Sequence, residues 1–518
     1  MCVQTQIWRH LGYYLNFDDL KDCRLACGLF NKKILNVTNF KERAVLHILL
    51  SQLGRLELLL AKPETSPSWK NLAINVDRDP HDNDSENFWE ASSSPSELDF
   101  LAPLLESVSS LKLYRSAEFR PPPIPKVRTT FSALFFLLKN VSKISVDVRI
   151  FQELDPSWFL ASSVGFMSGI REFELECNPP TCVPEEVLRT GISLAMSAKH
   201  LQVLRIHSFV WRWDANRTRE NASNRLDRVL RILRQNRTTL THVQVEDPEL
   251  WGNLCANRFG PFPLFPCLRV LKLQVSKKWL NECNLTKFLH SQPSHSFLQE
   301  LELEFYGSIP SAVFEAIKVR ARSGLKVLKV STTKFKWSWM RKWDFLKETS
   351  LRDFTFNIRE RSVRLDNDQL EEFFASFPKT ATSLCLSGVK PLLEGQAHQF
   401  QVDISRFNPS ILTRLQLRRC KGILRNTVLQ EFWKELTNLI VLDLSNAGSS
   451  CTDWGFTGVP IGRAKQGLSI SNLKGLNSTE FYSLLTNEVE LHPFFSAFSR
   501  SKIFDAAKLR EHHKSNPN

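Results

Sequence analysis

The sequence lacks the features of a membrane-spanning or secreted protein. Its longest apolar run, near Phe131–Leu138, falls far short of the roughly 20 apolar residues that a membrane-crossing helix needs. The residues that follow Met1 show neither the basic start nor the apolar core of a secretion signal. We therefore expect a protein of the cytoplasm or the nucleus, with no membrane among its partners.

The sequence also lacks the motifs that carry catalysis or bind cofactors. Its 11 cysteines are scattered, and no Cys-x-x-Cys pair supports a zinc site or a redox centre, so we expect reduced and mostly buried thiols. There is no Gly-x-Ser-x-Gly, no His-Glu-x-x-His, no phosphate-binding Gly-x4-Gly-Lys-Ser/Thr loop and no strand–Gly-x-Gly-x-x-Gly–helix unit. These absences predict a protein that is not an enzyme and that holds no metal or cofactor.

Positive charge is in modest surplus and is spread along the sequence. Lys and Arg number 68 against 54 for Asp and Glu, which gives a net charge of +14 with no long block of one sign. Such a surplus allows an acidic partner but does not by itself indicate nucleic acid. The hydrophobic fraction of 42% is typical of a globular chain with a sizeable core.

What the sequence does contain is a repeat. An apolar residue, two others, a second apolar residue, one other and a third apolar residue recur as a six-residue pattern, from LQVLRI to LIVLDL. Clear copies begin at 201, 240, 268, 298, 325, 351, 381, 412 and 439, weaker copies begin at 69, 108, 141 and 170, and LSISNL at 468 is a candidate for one more. The apolar residues in each copy alternate, which predicts a half-buried strand.

Helical patterns follow several of these predicted strands. They lie at 225–236, 311–324, 367–377 and 426–436. Asp368 and Asn426 are the predicted N-caps, and Gly324 is the predicted helix stop. A strand and a helix in each short unit bury their apolar sides only when the units stack, which predicts a solenoid. An ordinary alternating α/β domain is the alternative, but such folds rarely keep so constant a period.

Over about residues 69–489 the pattern resembles the leucine-rich repeat family. Cys420 stands where that family carries Asn or Cys after the strand, although few other copies do. The resemblance implies an α/β horseshoe, with strands on the concave side and helices on the convex side. We predict that the solenoid spans 46–489, with a disordered acidic loop at about 77–99 and a C-terminal cap and tail at 490–518.

The first 45 residues have a different, helical pattern. Apolar residues recur at helical spacing up to Leu15, and a second helix is predicted after a polar cap at 16–19. The segment resembles an F-box, with matching residues Ile7, Tyr14, Leu15, Asp19, Leu20, Arg24, Cys27 and Phe30. It departs from that family at its start, where Val3 and Gln4 replace Leu-Pro and Gln6 replaces Glu. A helical cap for the solenoid is the alternative interpretation.

The F-box resemblance implies a role and a partner. F-box domains bind the adaptor subunit of SCF-type, cullin–RING ubiquitin ligases, and a repeat domain behind the F-box binds the target. The chain is then a non-catalytic substrate receptor that reaches the cullin through the adaptor. The residues that we expect to contact the adaptor are Val3, Ile7, Leu11, Tyr14, Leu15, Leu20 and Phe30.

The predicted strands also give a predicted target-binding surface. Side chains between the inward apolar residues point outward, because strand side chains alternate. On this basis the residues expected to bind an unidentified protein target are Glu300, Glu302, Glu304, Lys329, Arg414, Gln416 and Arg418. The three glutamates form an acidic trio that nothing in the core neutralises, and the arginines form a basic pair farther along. The alternative is an ordinary solvated face.

Two other functions compete with the ligase hypothesis. One is a ligase-independent repeat scaffold, and the other is a solenoid that binds nucleic acid. A basic and aromatic cluster at 334–343 could stack bases, although such aromatics more often pack between helix and sheet. Nucleic acid is not the expected partner, because the predicted outward residues carry nearly equal numbers of basic and acidic groups.

Overall fold

The structure is a computed structural model of the 518-residue chain, which divides into two compact units, Met1–Leu250 and Trp251–Asn518. It describes residues 45–49, 70–76, 102–115, 131, 134–152, 156–176, 185–207, 228–246, 264–276, 284–291, 298–335, 337–359, 363–391, 408, 410–420, 438 and 441–443. The predicted F-box residues 1–44, the acidic loop at 77–99, the helix at 426–436, the copy at 468 and the terminal segment 490–518 lie outside these ranges.

The first unit contains a parallel sheet in which the strand order follows the chain. Its described strands are β1 (Val45–Leu49), β2 (Asn71–Asn75), β3 (Ser110–Tyr114), β4 (Lys143–Asp147), β5 (Glu172–Glu176), β6 (Val203–Ile206) and β7 (His242–Val245). Its described helices are α1 (Ala102–Leu105), α2 (Pro156–Met167) and α3 (Glu185–Met196), with a 3-10 turn at Val148–Gln152 and helical residues at 134–137 and 228–235.

The second unit has the same organisation. Its described strands in the main sheet are β8 (Val270–Ser276), β9 (Glu300–Tyr306), β10 (Val327–Thr332), β11 (Asp353–Ile358), β13 (Ser383–Ser387), β15 (Arg414–Arg418) and β16 (Val441–Asp443). These strands pair in parallel and in chain order, while β12 (Val363–Leu365) and β14 (Val389–Pro391) form a separate parallel pair. Its described helices are α4 (Asn284–Ser291), α5 (Ser311–Arg322) and α6 (Asn367–Ala375), with a 3-10 helix at Trp337–Glu348.

The predicted repeat is confirmed in both units. Each of the thirteen copies that begin between 69 and 439 contains a strand that starts at the third residue of the copy. The structure adds β1, which the pattern does not predict and which pairs with β2 so that Val45 lies opposite Asn71. The copy that contains β1, RAVLHI, opens on Arg43 where the other copies have an apolar residue, which hides it from a search for the pattern.

Side-chain alternation along the strands separates core from surface. In β3, β5 and β11 the inward residues are buried, and the residues between them are only partly buried. Helix α3 lies close against β5, because a Cβ on Gly191 would come within 2.7 Å of the Cδ1 atom of Leu175. The sheet therefore buries one side under helices and presents the outward side chains on the other, as the sequence predicts.

The boundaries of two helices test the capping predictions. The stop at Gly324 is confirmed: this residue follows α5 with φ of +109°, a left-handed conformation that glycine adopts readily. The N-cap at Asp368 is wrong, because α6 is capped by Asp366. The Asp366 carboxylate accepts from the Gln369 backbone N–H at 2.8 Å, and the Gln369 side chain accepts in return from the Asp366 N–H at 3.2 Å.

The packing of Trp343 shows whether the aromatic cluster at 334–343 is available for base stacking. Trp343 is 2% exposed, and its ring lies 4.9 Å from Phe314 and 5.8 Å from Phe356 between ring centroids. Phe335 also contacts Phe356, at 5.9 Å. Trp343 therefore belongs to the core and does not stack bases, while Phe335 is partly buried and packs against that core. The side chains of 336–341 lie outside the described residues.

Regular hydrogen bonds join each repeat to the next. The carbonyl before a strand accepts two N–H groups from the following repeat, as Lys70 does from Ser109 and Ser110 at 2.9 and 3.0 Å. The hydroxyls of Thr382 and Thr413 reinforce the same ladder, bonding the carbonyls of Arg352 and Thr382 at 3.1 and 3.0 Å. Within the described ranges, no helix is both long and apolar enough to cross a membrane.

Candidate protein-binding surface

The candidate surface is the side of each sheet that carries the outward side chains, and we call it the outward face of the first or second unit. In both units it is formed by the first, third and fifth positions of the strands. All the predicted target-binding residues belong to the outward face of the second unit. The predicted adaptor-binding residues Val3, Ile7, Leu11, Tyr14, Leu15, Leu20 and Phe30 lie outside the described residues, and their role stays a prediction.

Glu300, Glu302 and Glu304 project from β9, and we call them the second acidic strip. Lysines on both neighbouring strands reach its first two members. Lys272 of β8 places its Nζ atom 3.1 Å from Glu300 and 3.3 Å from Glu302. Lys329 of β10 lies 3.5 Å from Glu300 and 4.0 Å from Glu302. The two lysines therefore share the same two carboxylates.

The pKa values reflect this sharing. Partial burial alone would raise the pKa of the Glu300 carboxyl, but the hydrogen bonds and charges of Lys272 and Lys329 outweigh burial and hold that pKa below its ordinary value. Partial burial alone would likewise lower the pKa of Lys272, and its bonds to Glu300 and Glu302 raise it instead. Glu300 and Lys272 are therefore held in their charged forms at neutral pH.

The third member of the strip, Glu304, has different partners. Its side chain is 12% exposed and forms an ion pair with Arg359, the residue that follows β11. The Gln274 amide of β8 donates a hydrogen bond of 3.1 Å to its other oxygen. This corrects the view of the strip as an uncompensated acidic patch, because each carboxylate has a basic partner on the same face.

Arg414, Gln416 and Arg418 project from β15. Both arginines are exposed and Gln416 is partly buried. The structure does not bring them against the strip, because β10, β11 and β13 lie between β9 and β15. Burial raises the pKa of Asp353 on β11 despite the nearby charges of Lys329 and Arg414.

A second acidic trio lies on the first unit, on a strand that precedes the nine clear copies. Glu172, Glu174 and Glu176 project from β5, and we call them the first acidic strip. Lys143 of β4 and Arg205 of β6 each lie 3.8 Å from Glu172. The sequence EFELE resembles ELELE of β9, and extending the outward assignment to the weaker copy at 170 finds this strip.

The far end of the first strip is paired across two strands. Lys112 of β3 reaches over β4 to Glu176, with 2.5 Å between Nζ and Oε1. The short Ser145 of β4 lies beneath this contact and donates a hydrogen bond of 3.2 Å to the same carboxylate. The outward Asp147 is 1% exposed and is paired with Arg149, so its carboxylate is closed to solvent.

The central glutamate of the first strip, Glu174, is paired with a histidine that the sequence analysis did not identify as a site residue. The Nε2 atom of His207 lies 2.7 Å from Glu174, and its Nδ1 atom lies 3.4 Å from Glu246. Both ring nitrogens face carboxylates, an arrangement that suits the doubly protonated imidazolium. Hydrogen bonds to Glu174 and then Glu246 raise the pKa of His207 to about 9, and the bond with His207 lowers the pKa of Glu174.

Neither a reactive thiol at Cys420 nor a metal-binding cluster is found among the described residues. Cys420 is fully buried, its Sγ atom lies 3.2 Å from the Arg418 carbonyl oxygen, and burial raises the pKa of its thiol to about 12. That position after β15 is the one that the leucine-rich repeat pattern assigns to a backbone-bonding Cys. No group of three or more His, Cys, Asp or Glu side chains among the described residues is placed to hold a metal ion.

Comparison with known proteins adds little to this geometry. No protein-family model matches the chain, and no curated protein matches it. Among solved structures, the chain is similar to one from the crystal structure of the Rad7 and Elc1 complex in yeast, at 13% identity and a TM-score of 0.40. The match covers 69% of this chain and 85% of that chain. A TM-score of this size bears on neither function nor partners.

Proposed function

We propose that this chain is the substrate-recognition subunit of an SCF-type, cullin–RING ubiquitin ligase. In this proposal the F-box-like segment at 1–45 binds the adaptor subunit, and the outward faces of the repeat units bind a protein target. The chain performs no chemistry of its own. It raises the effective concentration of the target near the ubiquitin-carrying enzyme.

One observation carries most of this proposal. In each unit the repeats hold a row of parallel strands joined by backbone hydrogen bonds, and several charged side chains of the outward faces form ion pairs with neighbouring strands. A rigid face of this kind is suited to binding a protein surface, because few side chains must be ordered on association. The order of residues shared with the F-box pattern supports the adaptor half of the proposal.

The experiment is a pull-down of the full chain with purified adaptor. Leu15→Asp and Tyr14→Ala remove two apolar anchors of the F-box-like segment, and Leu264→Asp makes a similar change at a leucine that is 49% exposed in the second unit. An anchor at an interface centre contributes about 2 kcal/mol or more, so we expect the first two variants to bind about 30-fold or more weakly. Leu264→Asp should bind as the unmutated chain does.

The possible results separate the proposal from its alternatives. Circular dichroism of each variant establishes first that it is folded. Failure of the unmutated chain to retain adaptor at micromolar concentrations would remove the ligase role and leave a ligase-independent scaffold. Retention of adaptor that does not depend on Leu15 or Tyr14 would remove the F-box assignment.

A further inference from the structure

The turns that lead from helix to strand in the first unit form a surface of their own, separate from the outward face. The turns before β4, β5, β6 and β7 lie at 139–142, 168–171, 197–202 and 236–241, and we call them the amino edge. Backbone hydrogen bonds join them, because the Arg171 N–H donates to the Ser142 carbonyl at 2.7 Å and the Thr241 N–H donates to the Gln202 carbonyl at 2.8 Å. Neighbouring strands are about 4.8 Å apart, so the amino edge is a fixed row about 14 Å long.

Each turn of the amino edge carries an exposed basic residue. In chain order these residues are Lys139, Arg171, Lys199 and Arg237. None of the four forms an ion pair or a side-chain hydrogen bond within the described ranges. The four turns contain no Asp or Glu. An incoming carboxylate therefore meets cations here without having to displace a partner from them.

The carboxylates nearest to the amino edge do not neutralise it. Glu172 follows Arg171 but belongs to the outward face, where Lys143 and Arg205 each lie 3.8 Å from it. Glu106 lies in the turn before β3, one repeat beyond the edge, where its backbone carbonyl accepts a hydrogen bond of 2.8 Å from the Asn140 amide. Within the described ranges, neither glutamate forms an ion pair with a cation of the edge.

An exposed apolar patch adjoins the amino edge at Lys139. Phe136, three residues earlier, is 68% exposed, and Val164 of α2 is 54% exposed. The rings of Phe135 and Phe166 stack with centroids 4.8 Å apart, which holds the helical residues at 134–137 against α2. The Lys139 Nζ atom lies 5.1 Å from the centroid of the Phe136 ring, so cation and ring share one surface. Exposed apolar groups bordered by charge are typical of protein-binding surfaces.

We propose that the amino edge of the first unit, together with Phe136 and Val164, binds an acidic protein segment that carries an apolar anchor residue. The carboxylates of the segment pair with the four cations of the edge, and the anchor packs against Phe136. This surface lies outside the outward faces, and the proposal does not depend on the ligase role.

A protein segment fits the amino edge better than nucleic acid does. Phosphate groups are commonly bound by hydroxyl and backbone N–H donors as well as by cations. Here the hydroxyls of Ser168 and Thr241 already donate to backbone carbonyls, at 2.6 and 3.0 Å, and the ladder uses backbone N–H groups of the turns. Nucleic acid held by its phosphates would also leave the apolar patch uncovered.

The test measures binding of defined ligands to the full chain by fluorescence anisotropy. The acidic probe is a fluorescein-labelled octapeptide of six glutamates with a leucine at each end, so that the anchor is available in either direction. One counterpart replaces the glutamates with lysines, a second replaces both leucines with serines, and single-stranded (dT)8 serves as a non-protein polyanion. Circular dichroism establishes that each protein variant is folded.

Charge reversal at the edge has a closely matched control in the second unit. Arg171→Glu/Lys199→Glu reverses two cations in consecutive repeats, and Arg352→Glu/Lys379→Glu does the same at equivalent exposed positions before β11 and β13. Arg171 and Arg352 are the second residues of their copies, and Lys199 and Lys379 each lie two residues before the next copy begins.

We expect the acidic peptide to bind and the lysine peptide not to. The first-unit variant should bind the acidic peptide about tenfold or more weakly, and the second-unit variant should lose less than about threefold. Failure of the unmutated chain to bind the acidic peptide, or equal losses in the two variants, would overturn the proposal. Binding of (dT)8 that is as tight and equally sensitive to Arg171 and Lys199 would assign the edge to nucleic acid instead.

The anchor is tested separately from the charges. Phe136→Ala should weaken binding of the leucine-ended peptide about threefold or more, and should change binding of the serine-ended peptide less. Leu264→Ala removes an apolar side chain that is 49% exposed in the second unit and should leave both affinities unchanged. Equal affinities of the two peptides for the unmutated chain would overturn the role given to Phe136 and Val164.

Discussion

The two acidic strips have nearly the same sequence but different partners. EFELE of β5 and ELELE of β9 each place three glutamates on an outward face. The second strip is paired with Lys272, Lys329 and Arg359, and contacts with Glu300 and Glu302 raise the pKa of Lys272. The central glutamate of the first strip, Glu174, is paired with His207, whose charge is lost at mildly alkaline pH. Similar strands therefore need not respond alike to pH, because the neighbouring repeats decide which groups hold the glutamates.

The largest effects should come from the buried residues beneath the strips. Leu175 and Leu303 are both 0% exposed and occupy matched inward positions of β5 and β9. We expect Leu175→Ala and Leu303→Ala each to lower the free energy of unfolding by about 2–5 kcal/mol, because each leaves a cavity in a packed core. Urea denaturation followed by circular dichroism measures the change.

The exposed Leu264→Ala is the control for that comparison, with an expected loss of under about 0.5 kcal/mol. A loss at either core position as small as that of the control would mean that its strand faces the other way. Leu175 is the more sensitive test of strand orientation, because Gly191 of α3 packs directly against it.

Removal of a charge within a strip should cost less. Glu304→Gln keeps the shape of a side chain that is 12% exposed but breaks its ion pair with Arg359. We expect a loss of about 1–3 kcal/mol in the free energy of unfolding, the range for a poorly solvated hydrogen bond to a charged group. Glu302→Gln, at 41% exposure, should cost about 0–1 kcal/mol. If the two substitutions lower the free energy of unfolding equally, burial does not determine how much each glutamate contributes to stability.

The strands were predictable from the sequence, and the partners of the strips were not. Inward residues repeat with a fixed period, so thirteen of the described strands follow from the pattern alone. Strand β1 is hidden by Arg43, and the separate pair of β12 and β14 does not follow the pattern. The cap at Asp366 was also readable, because Gln369 stands three residues later as a capping box requires. The partners of a glutamate depend instead on register between repeats and on side-chain reach, as when Lys112 crosses β4 to Glu176.

The pH dependence of the first strip is the next effect in size. The folded pKa of His207, about 9, lies above its unfolded value of 6.5, so its stabilising effect is fully present below pH 6.5 and is lost as the pH rises through 9. Because solvent screens a pair of this exposure, we expect about 1–2 kcal/mol to be lost over that window. His207→Gln should remove this dependence, since glutamine does not titrate.

Hydrogen exchange measured at pH 6.5 and pH 9, corrected for the intrinsic rate, localises the effect. Amides of β5, β6 and β7 should lose protection in the unmutated chain and change little in His207→Gln. Amides of β9 should show no such loss, because the raised pKa of Lys272 keeps its charge beside Glu300 and Glu302 at pH 9. A parallel loss in β9 would show that the two strips do not differ in the way that their partners indicate.

The smallest effect concerns additivity among the lysines. Single substitutions Lys272→Gln and Lys329→Gln should each cost under about 1 kcal/mol, because the remaining lysine still holds Glu300 and Glu302. The double variant should cost more than the sum, by at least about 0.5 kcal/mol, since it leaves two partly buried carboxylates without a lysine. In the first strip, Lys112 and Lys143 pair with different carboxylates, Glu176 and Glu172, so the corresponding double variant should be additive. Urea denaturation curves for the two double-mutant cycles, in the same buffer, measure whether the free-energy changes are additive in each strip. Additivity in both strips would mean that Lys272 and Lys329 do not share their partners in solution.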